Sequence, residues 1–515
     1  MSPNTSNSLE PFSKPAGIDP TMPEGQLAIR LLLPLIACVA ALFVGWFITC
    51  DPNPFTTVTM LTGLVMCCIA LSNPVWGVFL LIFVTGYLDL VKRLGILSDA
   101  LSGIDVVVTL ALAPVLFLAI CSGVLYRNIV SRVWLRPWQV GLAVAILVAM
   151  AGVFGQAFLS GGGIAFALKD FANSGVYLLL ILVGCFLFAD VASVQRLLRF
   201  TLLIYVPVAI YGIWQQLFGL SNFETDYLKS GFTMDIGLLD DVRLRPFSTL
   251  NSPHALSVVT AILSVVGLMV PLRGRRRAWW QIPVSLLLAG ACLATFVRAG
   301  WVLLGLALMI WLCSQRKLTT FLMYGMVAAT FTFLFINADP LLQSLDRLDG
   351  ILPDTGDLQN LAFRTGTFSD RLISFHNVMS NPAFHTWFGN RDVQELEEGS
   401  RENEAHDQIG QILISYGFAG LTLFGTALVL GLWFAHRAVF RQADRLKCQI
   451  LLGVVSVVLA TILSGMLFGS HLSVFPINVL FYLFVSTVFV VGRTEGDVVE
   501  ASRSDDSSSV GAKSL

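Results

Sequence analysis

Charged residues are scarce in this chain. Asp, Glu, Lys and Arg make up 13% of its 515 residues, whereas soluble domains contain about 25%. This scarcity excludes an ordinary soluble domain, and a net charge of −1 gives no reason to expect a nucleic-acid partner. Hydrophobic residues reach 56% and recur in apolar runs of about 20 residues, the length of a transmembrane helix. Because the runs are continuous and do not alternate, we predict an all-α, polytopic membrane helix bundle.

Recognisable metal and disulfide patterns are also missing. The sequence has no D-x-D motif, and none of its nine cysteines lies in the long segment 337–407. We therefore expect no metal site, no cofactor and no disulfide framework. The same segment contains thirteen acidic residues and five arginines but no lysine.

Basic residues concentrate in alternate linkers. The linkers assigned to the cytoplasm are rich in arginine, as in RGRRR at 273–277, whereas the opposite linkers include acidic pairs such as Asp240 and Asp241. This positive-inside pattern predicts a cytoplasmic N-terminus and about 14 spans, in a range of about 12 to 14. Lys92 and Arg93 fall in a short outer loop and violate the pattern. The predicted helices lie near 27–49, 55–71, 75–90, 105–125, 138–159, 174–189, 200–218, 253–272, 281–297, 299–314, 318–336, 409–435, 449–467 and 473–491.

One long outer loop interrupts the bundle. It connects the helices that end near 336 and begin near 409, and loops of this length inside a compact bundle are usually functional. We expect residues 27–491 to form the transmembrane domain. The polar segments 1–26 and 492–515 are predicted to be disordered cytoplasmic tails.

Arg298 interrupts an apolar stretch that is too long for one crossing. Residues 281–314 would extend about 50 Å as one helix, whereas the hydrocarbon core is about 30 Å thick. We therefore predict two short helices joined by a tight turn in FVRAGW, 296–301, with Arg298 at the outer surface. A charge at this depth usually has a function; the alternative is an interfacial arginine that reaches lipid phosphate.

Two more arginines are candidates for binding phosphate on the outer side. Arg245 precedes a helix whose N-terminus Asn251 or Ser252 can cap, and Arg371 lies in the long loop. A guanidinium binds phosphate oxygens in a bidentate manner, and amides at a helix N-terminus also favour an anion. Solubility of the loop is the alternative explanation for any single loop arginine.

His406 ends the long loop at the start of an apolar helix. An imidazole suits general acid–base chemistry near neutral pH, and Asp407 can cap the helix or orient the ring. Gly417 and Gly420 share a helical face and predict close helix packing beneath the histidine. His471, in the last outer turn, can line the same cavity. A surface histidine at a helix end is the alternative.

The spacing of these residues resembles the O-antigen ligase/polymerase-like family of integral membrane glycosyltransferases. That family's signature is a histidine, a small polar residue, nine variable positions and then Gly-x-x-Gly. Here these positions are His406, Asp407, Gly417 and Gly420, although the family commonly has Asn, Ser or Gln where Asp407 stands.

Two other motifs support the resemblance, which covers roughly 200–435. ATFVRAGW, 294–301, is similar to the family's outer arginine turn, matching at Arg298, with valine in place of a serine. SDRLISFHNV…TWFGN, 369–390, is similar to its loop motif, matching at Arg371. The resemblance implies that 27–491 is a transmembrane glycosyltransferase domain and that 337–407 is a large periplasmic loop.

The resemblance implies a reaction at the periplasmic face of the bacterial cytoplasmic (inner) membrane. The donor would be a glycan on undecaprenyl diphosphate, and the acceptor a sugar hydroxyl on another lipid-linked unit or on lipid A–core. Polymerisation of exopolysaccharide or O-antigen repeat units is our first interpretation, with a chain-length regulator as an expected partner. The alternatives are an O-antigen ligase and a lipid-linked oligosaccharide flippase. Transporters place polar sites near the bilayer midplane, so charges at the outer mouth disfavour the flippase.

The candidate residues suit this chemistry without a metal. Arg298, Arg371 and Arg245 can neutralise the diphosphate leaving group, and His406 can position or deprotonate the acceptor hydroxyl. Direct displacement would invert the anomeric centre.

Overall fold

The computed structural model describes residues 53–97, 103–130, 137–158, 163–188, 190–229, 238–239, 243–314, 378–382, 385–389 and 407–492, together with Gly45 and His376. The regular secondary structure of these ranges is helical, apart from an antiparallel ladder between Leu238–Leu239 (β1) and Arg243–Leu244 (β2) and an isolated bridge between Arg273 and Arg276. The helices are α1 Pro54–Ser72, α2 Pro74–Leu97, α3 Gly103–Val130, α4 Pro137–Ala157, α5 Gly163–Asn173, α6 Leu179–Leu187, α7 Val191–Phe218, α8 Asn222–Lys229, α9 Pro253–Met269, α10 Gln281–Ala294, α11 Arg298–Ser314, α12 Gln408–Arg441, α13 Arg445–Phe468 and α14 Ile477–Val491. The predicted all-α bundle is confirmed for the described residues.

Many of these helices can cross a membrane. Seven are long and apolar enough to do so: α1, α2, α3, α4, α7, α12 and α13. Helices α5 and α6 meet at a 41° bend and pass the same test as a pair, and α9, α10, α11 and α14 are shorter apolar helices. Apart from Gly45, the predicted spans at 27–49 and 318–336 lie outside the described residues, so the number 14 stays a prediction. The same holds for the loop's periplasmic position.

Helix α9 lies at the centre of the bundle. Every one of its residues except His254 and Leu268 is buried, and it packs against α10, α11 and α13. Small side chains allow the close approach, because a Cβ on Gly267 would overlap Ser285 and one on Gly300 would overlap Ser257. Such small-residue contacts hold helices together where lipid supplies no hydrophobic driving force. The N-terminus of α9 therefore emerges in the middle of one end of the bundle.

The positions of the basic residues distinguish the two ends of the bundle. The linker 271–280, between α9 and α10, contains four arginines, and Arg437, Arg441 and Arg445 lie at the ends of α12 and α13 on either side of their short linker. We call the opposite ends of the helices their outer ends. Helices α9, α11 and α12 begin at their outer ends, and the turn between α13 and α14 lies there as well.

Candidate active site at the outer helix ends

Arg298 is the first residue of α11, directly after the turn 295–297. This is the tight turn between two short helices that the length of the apolar stretch predicted. Phe296 has a φ of 54°, a left-handed conformation that is uncommon for a side chain of this kind. The Thr295 hydroxyl accepts a hydrogen bond from the Val297 amide at 3.2 Å. The turn is therefore held by local hydrogen bonds in a conformation that the chain does not favour by itself.

Neighbouring helices hold the same turn from both sides. Ser257 of α9 donates its hydroxyl to the Val297 carbonyl at 3.3 Å, and Ser464 of α13 donates to the Ala299 carbonyl at 2.8 Å. Both acceptors flank Arg298 in the sequence. The backbone from which its guanidinium extends is thus fixed before any ligand arrives, which is the preorganisation that charge stabilisation requires.

A chain of hydrogen bonds connects α9 to this turn through two histidines. The Ser464 hydroxyl donates its only hydrogen to the Ala299 carbonyl. Its oxygen therefore accepts a hydrogen bond from Nε2–H of His471 at 3.1 Å. With a neutral ring, His471 then has its lone pair on Nδ1, where it accepts from Nε2–H of His254 at 3.1 Å. In this tautomer the bonds all point from the N-terminus of α9 towards the first turn of α11. His471 is completely buried.

The turn 469–473 joins three helix N-termini. Through His471 it contacts the start of α9, and through Ser464 it reaches the start of α11. Its Leu472 amide donates to the side chain of Gln408, the first residue of α12, at 3.1 Å. The N-termini of α9, α11 and α12 are thus connected at one place, and each brings a positive dipole end there.

Two of these N-termini are capped as the sequence predicted. Ser252 accepts from the Ala255 amide at 3.2 Å and Pro253 occupies the first turn of α9. Asp407 accepts from the Gly410 amide at 2.6 Å. The structure thus shows the capping role of Asp407, one of the two roles considered for it. Burial raises the pKa of the Asp407 carboxyl to about 6, although amide hydrogen bonds oppose the shift.

The raised pKa of Asp407 predicts a pH-dependent stability. The contribution of this carboxyl to the free energy of unfolding is fully present below its unfolded-state pKa of about 3.9. It is lost as pH rises through the folded-state pKa of about 6. Asp407→Asn keeps the cap but cannot ionise. We expect the melting temperature of Asp407→Asn in detergent to rise relative to that of wild type as pH increases through this window. Asp407→Ala should be about 1 kcal/mol less stable than Asp407→Asn at every pH, because it lacks the cap. A gap between Asn and wild type that is constant with pH would contradict this account.

Helix α12 is broken at Gly417. The expectation of one continuous helical face is wrong here, because Gly417 has a φ of 60° and a ψ of −160°. The amides of Phe418 and Ala419 donate to the carbonyls of Thr386 and Trp387, each at 3.0 Å. In an unbroken helix they would donate to carbonyls four residues earlier. The close approach predicted at this glycine is made by the loop segment 385–389, and the packing partner is not another helix.

Both ends of this contact need glycine. A Cβ on Gly417 would overlap the Thr386 carbonyl oxygen and would lie 2.5 Å from the Gly389 amide nitrogen. Gly389 has a φ of 85° and faces the carbonyl oxygens of Ile414 and Ser415. A Cβ on Gly420 would instead overlap the side chain of Tyr416, within its own helix. Gly417 and the Trp-Phe-Gly part of the loop motif are therefore two halves of one contact.

We expect Gly417→Ala to detach segment 385–389 from α12. The added Cβ meets backbone atoms that cannot rotate away, and a left-handed φ costs a further 1–3 kcal/mol or so in a non-glycine residue. The expected result is a lower melting temperature and faster proteolysis of the loop. Gly425→Ala is the matched control on the same helix, since nothing lies within 4 Å of its Cβ, and it should be neutral or slightly stabilising. Equal behaviour of the two variants would show that the contact is dispensable.

Arg245 leads into a buried turn, residues 247–250. Ser248 in this turn has a φ of 53°. The side chain of Gln215, on α7, accepts from the amides of Phe247 at 3.1 Å and Ser248 at 2.6 Å. This turn connects Arg245 to the start of α9, so it sets the position of the segment that enters the site.

Arg93 holds the same turn from α2. Its side chain is fully buried and donates to the carbonyls of Ser248, at 2.6 Å, and Leu250. Its guanidinium lies 4.4 Å from the centre of the Phe247 ring and 4.0 Å from the Glu224 carboxylate. A buried charge with this many partners is costly to disturb, which indicates that the position of the turn matters.

The prediction that Lys92 and Arg93 lie in a short outer loop was wrong. Both residues lie inside α2, which continues to Leu97, and Lys92 pairs with Asp89 at 3.5 Å. They violate the positive-inside rule because they are internal to the fold and do not lie in a loop. The signal that could have revealed this is Asp89, whose spacing from both basic residues places all three on one side of a helix.

The predicted site residues are only partly within the described structure. Arg298, Asp407 and the turn with His471 belong to the connected outer ends. His406 lies outside the described residues, although its neighbour Asp407 fixes where the chain enters. Arg371 also lies outside them. Among the described residues, no three His, Cys, Asp or Glu side chains come together as a metal site.

Comparison with known proteins supports the resemblance. A family model described as O-antigen ligase matches residues 283–425, which confirms the similarity to the O-antigen ligase/polymerase-like family over that segment. The segment includes the turn at Arg298 and the break at Gly417. No curated protein matches the chain. Together with the apolar helices, the match indicates a multi-pass membrane enzyme that processes glycans, of a glycosyltransferase-like ligase or polymerase type.

Proposed function

We propose that this protein transfers a glycan from undecaprenyl diphosphate to a sugar hydroxyl at the periplasmic face of the inner membrane. The observation that supports it best is the meeting of three helix N-termini beside Arg298 and Asp407. Positive dipole ends and an arginine on a fixed backbone favour an anionic group such as a diphosphate.

Arginine and histidine take different roles in this proposal. The bond between the anomeric carbon and the diphosphate oxygen breaks, and its electrons leave with the diphosphate. Arg298, with Arg371 and Arg245, neutralises that charge. His406 accepts the proton of the acceptor hydroxyl as the new glycosidic bond forms. One such displacement inverts the anomeric centre, and the scheme needs no metal.

Polymerisation of repeat units is our preferred form of the reaction. It uses a second lipid-linked glycan as acceptor, so donor and acceptor approach within the same membrane. A chain-length regulator is then the expected partner. The preference rests on the long acidic loop and the N-terminal spans of the sequence.

Ligation is the second candidate, and the description of the matching family as O-antigen ligase favours it. In that reaction a finished polymer moves from undecaprenyl diphosphate to lipid A–core. The leaving group and the proposed roles of Arg298 and His406 are the same. Only the acceptor differs.

Deletion of the gene separates these functions. The polysaccharides of the deletion strain are sized by electrophoresis and the lipid-linked glycans are extracted. Single repeats on lipid, without any chains of greater length, indicate a polymerase. Long chains on undecaprenyl diphosphate with bare lipid A–core indicate a ligase. Loss of the polysaccharide together with an accumulation of lipid-linked units in the cytoplasmic leaflet would instead indicate a flippase.

A further inference from the structure

The hydrogen bonds at the α12 break fix the depth of segment 385–389. The helix continues from Phe418 to Arg437, 19 residues on by numbering, a distance of about 29 Å at 1.5 Å per residue. Arg437 lies at the basic end of α12, with its guanidinium 5.2 Å from the Trp433 ring. Because the hydrocarbon core is about 30 Å thick, Phe418 lies close to its outer boundary. Segment 385–389 is bonded to Phe418 and Ala419 and so lies at the same depth.

The segment exposes two large aromatic side chains at this depth. Trp387 is 71% exposed and Phe388 is 69% exposed. Helix α12 itself exposes further large apolar side chains, which include Phe418, Leu423 and Trp433. A Trp-Phe pair is costly to leave in water, whereas tryptophan is enriched where the hydrocarbon meets the headgroups.

We propose that segment 385–389 is a membrane anchor of the long loop, with Trp387 and Phe388 inserted in the outer leaflet of the bilayer. The lipid covers the exposed rings, and the bonds from Phe418 and Ala419 satisfy the loop carbonyls that water cannot reach there. The continuity with the apolar surface of α12 identifies lipid as the occupant. The anchor ties the loop to the membrane seventeen residues before His406.

Quenching of tryptophan fluorescence by brominated lipid tests the anchor. The full-length protein is placed in vesicles of phosphatidylcholine whose acyl chains carry bromines near the headgroup or near the methyl end. Subtracting the emission of Trp387→Phe from that of wild type gives the contribution of Trp387. We expect this contribution to lose most of its intensity with the shallow bromines and much less with the deep ones. Soluble iodide should quench it weakly.

Trp433→Phe is the matched control, since Trp433 is an exposed tryptophan on α12 itself and should also be quenched by lipid. The double variant Trp387→Phe with Phe388→Trp moves the indole by one residue and should show the same shallow quenching. A Trp387 contribution that iodide quenches and no brominated lipid affects would overturn the proposal. The measurement does not depend on glycan transfer, so the anchor and the proposed reaction can fail separately.

Discussion

Arg298→Ala is expected to abolish detectable glycan transfer while the protein still reaches the membrane at normal level. The side chain starts from a turn that Ser257 and Ser464 hold on both sides, so its removal leaves a fixed gap where the diphosphate charge develops. Loss of one preorganised group of this kind costs about 10²–10³ in rate. The polymer of cells that contain only the variant is measured at matched expression.

Arg298→Lys separates charge from geometry. A lysine keeps one positive charge but cannot form two parallel hydrogen bonds to phosphate oxygens, so we expect only weak recovery. Arg437→Ala is the matched control, because Arg437 lies at the opposite end of the bundle against Trp433, and it should retain activity. Normal polymer from Arg298→Ala cells would mean that Arg298 only contacts lipid headgroups.

His406→Ala is expected to lower the rate of transfer by about 10²–10⁴, the usual contribution of a general acid–base group. Donor binding should survive, because arginines and helix N-termini hold the diphosphate in this account. A photoreactive undecaprenyl diphosphate analogue should therefore crosslink to the variant as it does to wild type.

His436→Ala is the control for this experiment. His436 lies at the basic end of α12, where the centre of its ring is 4.3 Å from that of Phe440, and its removal should leave transfer unchanged. Near-normal turnover of His406→Ala would identify His406 as an ordinary helix-end residue. Loss of crosslinking together with activity would mean that the histidine binds the donor and does not act on the acceptor.

Several features at the outer helix ends were predictable, because bilayer thickness limits the length of a membrane-spanning helix. The stretch 281–314 was too long for one crossing, so a turn near Arg298 was required, and the structure has it at 295–297. The caps at Ser252 and Asp407 followed from local rules for helix N-termini. These features depend on length and on neighbouring residues, both of which a sequence displays.

Contacts between distant segments were not predictable in the same way. The sequence shows Gly417 and the motif that contains Trp387, but no local pattern predicts that the backbone of segment 385–389 contacts this glycine. The bond between His254 and His471 joins residues 217 positions apart. Arg93 was misplaced because a hydropathy pattern treats a charge as a helix end, whereas here carbonyls and Glu224 compensate its burial.

Reconstituted transfer tests the central claim most directly. The purified protein in liposomes receives a synthetic undecaprenyl-diphosphate-linked repeat unit, in parallel with and without lipid A–core as an added acceptor. We expect one undecaprenyl diphosphate to be released for each glycosidic bond formed, with longer glycans on lipid, or on lipid A–core if the protein is a ligase. Arg298→Ala should release none. An intact donor after incubation with active wild-type protein and both acceptors, with no new glycosidic bond, would contradict the account.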